Sequence, residues 1–246
     1  MLSIAVVCHS SIWHIRSALV SISENTDVPY ELIIINNGAC PEIGSLLKEL
    51  AHLYKAMYIE YIDSLPLSFV WNESIRQSKY HYVALLHDDV MVSPNWASRL
   101  LEGFKEYHVA AICPTITVNQ TIGKNHRMTM SRLKQIDVDL RHMNGNLTLS
   151  IRSIPWACFI VSKTAYYTVG KFDEDLELAS GPEIEWGEIA QIQEFKILIH
   201  RGVFVHHEGN VSIGPRILSD NTFKPSTARN AVIIKNKLRE KYGMRT

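Results

Sequence analysis

The chain has 246 residues, 46% of them hydrophobic and 20% charged, the make-up of a globular protein able to bury a sizeable core. Its 25 Lys and Arg cancel its 25 Asp and Glu, so no overall basic field marks a nucleic-acid binder. No apolar run approaches the roughly 20 residues that cross a bilayer as a helix. The opening Met1–Val7 lacks the basic flank and cleavage site of a secretory signal. It predicts a first strand over Leu2–Cys8 and a cytoplasmic protein. Apolar residues at helical spacing follow over Ile12–Ser23. Tyr30–Ile35 is a second, β-branched strand ending in Asn36-Asn37-Gly38. Ile43–Leu53 has a helical pattern, Met57–Tyr61 that of a strand, Phe69–Ser78 that of a helix. Tyr82–Leu86 is the fourth strand, Trp96–Tyr107 the next helix and Val109–Cys113 the fifth strand. This alternation predicts βαβ units in a mostly parallel sheet, and fully apolar strands such as Leu32–Ile35 predict helices on both faces.

The second half is less regular. Thr115–Arg152 has no strong period, which predicts a functional loop or a mobile insertion. A core strand is expected over Ile154–Val161 with Pro155 at its start, then a helix over Lys163–Val169. Pro182–Phe195 reads as a helix with Glu183 and Glu185 in its first turn, where acids suit the helix dipole. Short strands are expected at Lys196–Ile199 and Val203–Val205. Ser226–Tyr242 reads as a basic, partly amphipathic helix; Lys and Arg outnumber acids from Lys224 onward. The 4 cysteines are widely spaced with no Cys-x-x-Cys, the pattern of reduced thiols.

Polar clusters end four of the apolar strands in order: His9-Ser10, Asn36-Asn37-Gly38, His87-Asp88-Asp89 and His206-His207. Two adjacent carboxylates at a strand end are not demanded by packing. The carboxyl edge of a parallel sheet binds ligands in open α/β folds, and hard oxygen ligands there suit Mg²⁺ or Mn²⁺. The competing explanation is that Asp88 or Asp89 caps a helix beginning near Pro94. Asn36-Asn37-Gly38 also reads as a plain turn, and Glu183 beside Pro182 as an ordinary helix start.

In order, these motifs resemble an inverting family 2 glycosyltransferase of the nucleotide-binding GT-A fold, over roughly residues 2–212. The resemblance rests on Asn36-Asn37-Gly38-Ala39, Asn72 in a helix, His87-Asp88-Asp89, Gly170-Lys171-Phe172-Asp173-Glu174, Pro182-Glu183-Ile184-Glu185-Trp186 and His206-His207. It implies a central sheet flanked by helices with a smaller, irregular acceptor side: residues 1–114 as the nucleotide-sugar half, 115–212 as the acceptor and catalytic half, and 213–246 as a basic helical extension. It implies transfer of a hexosyl or deoxyhexosyl group from a UDP, TDP or GDP sugar to a glycan or lipid-linked acceptor in glycan or surface polysaccharide synthesis. By the same likeness, Glu183 is the base and Glu185 the second acid. His9, Ser10, Asn36, Asn72, His87, Asp88 and Asp173 line the nucleotide-sugar site, and Asp89, His206 and His207 hold a Mn²⁺ or Mg²⁺ ion. Asn36, His87 and Glu183 stand where the family commonly has Asp. The basic tail offers a peripheral membrane contact at the inner face or a homodimer contact. Two further readings remain, a nucleotidyltransferase-like enzyme and a non-catalytic nucleotide-binding protein.

Overall fold

The computed structural model describes residues 1–9, 12–118, 128–151, 154–155, 157–176, 181–209 and 223–243, apart from the side chains of 118 and 223–229. Strand β1 (Leu2–Cys8) runs parallel to β2 (Tyr30–Asn37) on one side and to β4 (Tyr82–His87) on the other. Strand β3 (Met57–Tyr61) extends this parallel set beyond β2. Helices α1 (Ile12–Asn25), α2 (Pro41–Leu53) and α3 (Leu67–Gln77) make the crossovers. Alternating side chains along each strand divide the core in two. Ile4, Val6, Leu32, Ile34 and Leu86 pack with Leu19 of α1 and Leu47 of α2. Val7, Ile33, Ile35 and Leu85 pack with Val70 and Trp71 of α3 on the other face. With both faces covered, no polar alternation survives in the strands, and they read as unbroken apolar runs. Each fully buried Leu or Ile among them contributes about 1.5–3 kcal/mol.

Beyond β4 the sheet continues through β8 (Cys158–Ser162), β6 (Val109–Val118), β9 (Lys196–His207) and β5 (Val90–Val92), with β7 (Thr148–Ser150) also on β9. Only β6 and β9 are parallel there; the remaining joins are antiparallel. The expected parallel sheet is therefore parallel over β3-β2-β1-β4 and mixed beyond. Helices α4 (Trp96–Glu102), α6 (Lys163–Val169) and α7 (Pro182–Ile192) and the last helix, Phe223–Tyr242, complete the layers. Among the described residues, no helix is long and apolar enough to cross a membrane.

Several expectations need correction. Much of Thr115–Arg152 is regular: β6 runs on to Val118, and helix α5 (Met130–Asn144) precedes β7. The Thr129 side chain caps α5 by accepting the Arg132 N–H at 3.2 Å, and Gly145 ends it with φ of 54°. Its pattern is faint because only Leu133 and Asp137 are buried, the latter as a charge held by Arg99 and Arg141. The two short strands expected after residue 195 are one strand. Pairing to β6 jumps from Pro114–His200 to Thr115–Phe204, so residues 201–203 bulge out and the strand resumes. The resumed part meets β5, a strand the sequence reading lacked, with His207 opposite Val90 and His206 opposite Met91. Asp88 and Asp89 thus lead into β5 rather than capping a helix; α4 starts later, after Asn95.

Candidate active site

Strand order turns at β1: β2 and β3 are laid on one side, and β4 on the other. The crevice beyond the carboxyl ends of such strands is where open α/β sheets bind ligands. His9 follows β1 and Asp88 follows β4. The His9 N–H donates to Asp88 Oδ2 at 2.8 Å, and His9 Nδ1 lies 2.9 Å from the Asn37 carbonyl at the end of β2. Three strand ends are tied together at this point. Asn36 is buried; its Oδ1 accepts the Ala39 N–H at 2.9 Å, and its Nδ2 donates to Tyr58 Oη and Glu60 Oε1, both at 3.3 Å. Asn37 grips the backbone of Leu65, accepting from its N–H at 2.9 Å and donating to its carbonyl at 3.0 Å. Gly38 permits that closeness, because a Cβ there would lie 2.4 Å from the Ser64 nitrogen. Ser10, expected beside His9, lies outside the described residues.

The end of β9 completes the crevice. Pairing with Val90 brings His207 Nε2 to 3.2 Å from Asp89 Oδ1. The His87 and His207 ring centroids are 5.8 Å apart. One ligand atom each from His87, Asp89 and His207 lies within 4.8 Å of the others. His206 is left out of this group. Successive strand residues face opposite ways, and its fully buried ring sits 3.3 Å from Glu208. The structure therefore joins His87, read from sequence as lining the nucleotide site, to two of the three expected ligands. Burial, with His207 close by, pushes the His87 imidazole down to about 4 against the pull of Asp89. Burial of Asp89 would raise its carboxyl, but the hydrogen bond to His207 and the neighbouring imidazoles hold it low. At pH 7, His87 is neutral and Asp89 ionised, the forms that bind metal. Two imidazoles and one carboxylate can hold a divalent transition-metal ion, which accepts nitrogen ligands more readily than Mg²⁺ does.

A second cluster surrounds α7. Asn72 of α3 is buried against the loop after α6. Its Nδ2 donates to the Phe172 carbonyl at 2.9 Å and Glu174 Oε1 at 2.8 Å, and its Oδ1 accepts from Tyr166 Oη at 2.8 Å and the Phe172 N–H at 3.0 Å. That occupies all four positions of the amide. Asn72 holds the Gly170–Glu174 loop, in contrast to the nucleotide contact expected of it. Trp186 Nε1 ties the same loop to α7 through the Gly170 carbonyl at 2.7 Å. Glu183 is buried and accepts the Gly181 N–H at 3.1 Å; burial raises its carboxyl. Burial and the charge of Asp173 push Glu185 up to about 7, against the opposing pull of Lys237 and Lys241. Lys237 was not foreseen: it sits 64 residues from Asp173, its ion-pair partner, and no local pattern links the two.

Residues 3–170 match the family described as glycosyl transferase family 2. The chain belongs to that family. The matched part of this family 2 chain holds the crevice through Asp89 and stops before α7 and His207. It is 24% identical to the chondroitin synthase of Escherichia coli over 198 residues, covering 67% of this chain and 28% of that one. It is 21% identical to the poly-beta-1,6-N-acetyl-D-glucosamine synthase of Staphylococcus epidermidis over 179 residues, 71% of this chain and 42% of the other. The chain thus spans less than half the length of these relatives. Among solved structures, GalNAc-T7 with UDP, GalNAc and Mn²⁺ superposes with a TM-score of 0.70 at 14% identity, over 86% of this chain and 44% of that one. The mannosyltransferase of Pyrobaculum calidifontis with GDP-Man and Mn²⁺ gives 0.69 at 11% identity, over 98% and 64%. The fold of this family 2 chain is the GT-A fold, as the motif order implied.

Proposed function

We propose that the chain transfers a sugar from a nucleoside-diphosphate sugar to an acceptor hydroxyl with inversion, in the assembly of a glycan. The observation that carries this is the His87–Asp89–His207 group at the crevice where β1 and β4 part. These three side chains would hold the divalent cation. Bound there, the cation would supply Lewis-acid stabilisation of the leaving diphosphate. His9 and Asp88 at the adjoining strand ends would orient the ribose and diphosphate, and Asn36 the base. An amide offers both a donor and an acceptor edge, but Asn36 would release Tyr58 or Glu60 to use its donor.

The first turn of α7 would supply the base. Glu183 takes the proton of the acceptor hydroxyl as its oxygen bonds to the anomeric carbon, while the bond to the diphosphate breaks and its electron pair leaves with the diphosphate. A carboxyl raised by burial is better matched to that proton than a solvated one. UDP and GDP are supported as donor nucleotides by the ligands of GalNAc-T7 and the mannosyltransferase. A glycan acceptor is supported by the names of the two synthases.

The test is hydrolysis and transfer with a panel of UDP, TDP and GDP sugars, with Mn²⁺, with Mg²⁺ and with chelator. Cation-dependent release of the nucleoside diphosphate from one donor is expected. Glu183→Gln should abolish turnover while leaving donor binding within a few-fold. Full turnover in Glu183→Gln would move the base to Glu185; no cation-dependent release from any donor would refute the proposal.

A further inference from the structure

A groove of about 600 Å³ lies between α1 and the start of α5. Ile12, Trp13 and Val20 line it from α1, Met128 and Met130 from the start of α5, and Met91 from β5. Ile12, Trp13 and Val20 are 41, 59 and 37% exposed. A contiguous apolar surface of this kind marks a binding site rather than ordinary protein surface. The volume is that of a small-ligand site. The groove adjoins the cation site. Trp13, Ser17, Met91 and Met128 also line a cavity of about 10 Å³, room for roughly one water, whose other walls include Asp89 and Glu208.

The lining says what chemistry fits. A bare sugar would set its hydroxyls against Met and Val side chains with few partners, which is costly. Three methionines suit a flexible hydrocarbon chain, because the unbranched thioether adapts to irregular apolar shapes. The charge in the groove has one sign. Arg16 stands between Ile12 and Val20, each four residues away and so on the same face of α1. Helix α5 begins at the opposite wall with no acid in its first turn, which leaves its positive end uncompensated there. Among the described lining residues of the groove there is no acid. Chain and anion together describe an amphiphile. A guanidinium pairs with carboxylate or phosphate, but a fatty carboxylate carries no hydroxyl to receive a sugar. A phosphate can link the chain to one that does.

We propose that the groove takes the carrier end of a lipid-linked acceptor: a long hydrocarbon chain ending in phosphate. The chain lies along Ile12, Val20 and the methionines, the phosphate meets Arg16, and the group beyond it is directed to the crevice at Asp89. The inference deepens the transferase reading and rests on it for the carrier's role as acceptor.

The experiment titrates hexyl to dodecyl phosphate, each below its micelle concentration, into the full chain by calorimetry. Affinity should rise about fourfold per added methylene, the gain for burying one, and level off once the groove is full. Arg16→Gln should weaken dodecyl phosphate about tenfold, as for loss of a charged hydrogen bond, and leave the uncharged dodecyl maltoside unchanged. Val20→Gln, at an exposed position of α1, should weaken both roughly fivefold with a melting temperature close to wild type. Ile12→Gln gives the same test if that variant unfolds. Saturating dodecyl phosphate should also lower release of free sugar from an active donor, since its head takes the place of water at the crevice. No gain with chain length, or a gain that the variants leave intact, overturns the inference. So does a dimer in sedimentation that Val20→Gln splits, because a second copy would then cover the groove. Unchanged sugar release overturns the acceptor role. Binding as expected with no nucleoside diphosphate released from any donor keeps the groove and sinks the transferase reading; release without binding does the reverse.

Discussion

Replacing Asn72 with alanine should cost about 3–4 kcal/mol of stability, far more than an exposed helical Asn would. The amide is 5% exposed and makes four hydrogen bonds, two of them to the backbone N–H and carbonyl of Phe172. A protein hydrogen bond contributes about 1 kcal/mol net, and a buried group left unpaired costs roughly 1–3 kcal/mol. Phe172 is fully buried, its ring 5.4 and 5.3 Å from those of Trp71 and Trp186, so water does not readily replace the lost amide. Glu174 is partly exposed and regains water, so its share of the loss is small. Urea unfolding should show the midpoint falling with an unchanged slope, and the melting temperature should drop by roughly 10 °C at about 2–4 °C per kcal/mol for a chain of this size. Tyr166→Phe, which removes one of the four bonds, should cost about 1 kcal/mol and be less than additive with Asn72→Ala. A loss below about 1 kcal/mol together with lost nucleotide binding would refute the reasoning, because it would mean the amide serves a ligand rather than the loop.

Gly181→Ala should destabilise by about 1–3 kcal/mol, from the strained backbone conformation and the tight approach to Ile234. Proteolysis should then release the last helix first, and protection equal to wild type would contradict its seating on α7. The raised carboxyl of Glu185 also predicts a pH trend. Folded, it holds its proton up to about 7; unfolded, it loses it near the ordinary 4.5. The folded chain binds the extra proton in that window, so this group's contribution to stability falls as pH rises from 4.5 to 7. Glu185→Gln removes the slope, and its melting temperature should gain on wild type steadily across that window. Parallel curves would show that Glu185 is not perturbed.

The first half of the fold was legible because strands covered on both faces leave continuous apolar runs, as in Leu32–Ile35 and Val83–Leu86. The strand-end positions of His9, Asn36 and Asp88 followed from the same runs. What was illegible depends on long-range pairing. Val90–Val92 is three residues long, too short for a period, and becomes a strand only because His207, Met91 and their neighbours pair across the sheet. That pairing decides which of His206 and His207 reaches Asp89, a choice the His-His pair alone leaves open. Helix α5 buries Asp137 through two arginines, a charge in the place where an apolar residue would have marked the face. For His87 there was a usable signal. It stands at the end of β4, two residues before Asp89, close enough in sequence to share its place at the strand end. Asn72 carried the family's motif position, but its four hydrogen bonds go to Tyr166, Phe172 and Glu174, and only the fold shows them.

The central claim is that His87, Asp89 and His207 form the cation site of the donor crevice. Calorimetric titration of Mn²⁺ into the chain, with and without UDP, tests it most directly on wild type and on His87→Ala, Asp89→Ala, His207→Ala and His206→Gln. The account predicts one Mn²⁺ per chain in wild type, tighter with UDP present. Loss of any one of the three ligands should weaken it at least tenfold, about 1.4 kcal/mol, and His206→Gln should leave it nearly intact. Mn²⁺ binding that survives His87→Ala and Asp89→Ala, or that fails in His206→Gln alone, would contradict it.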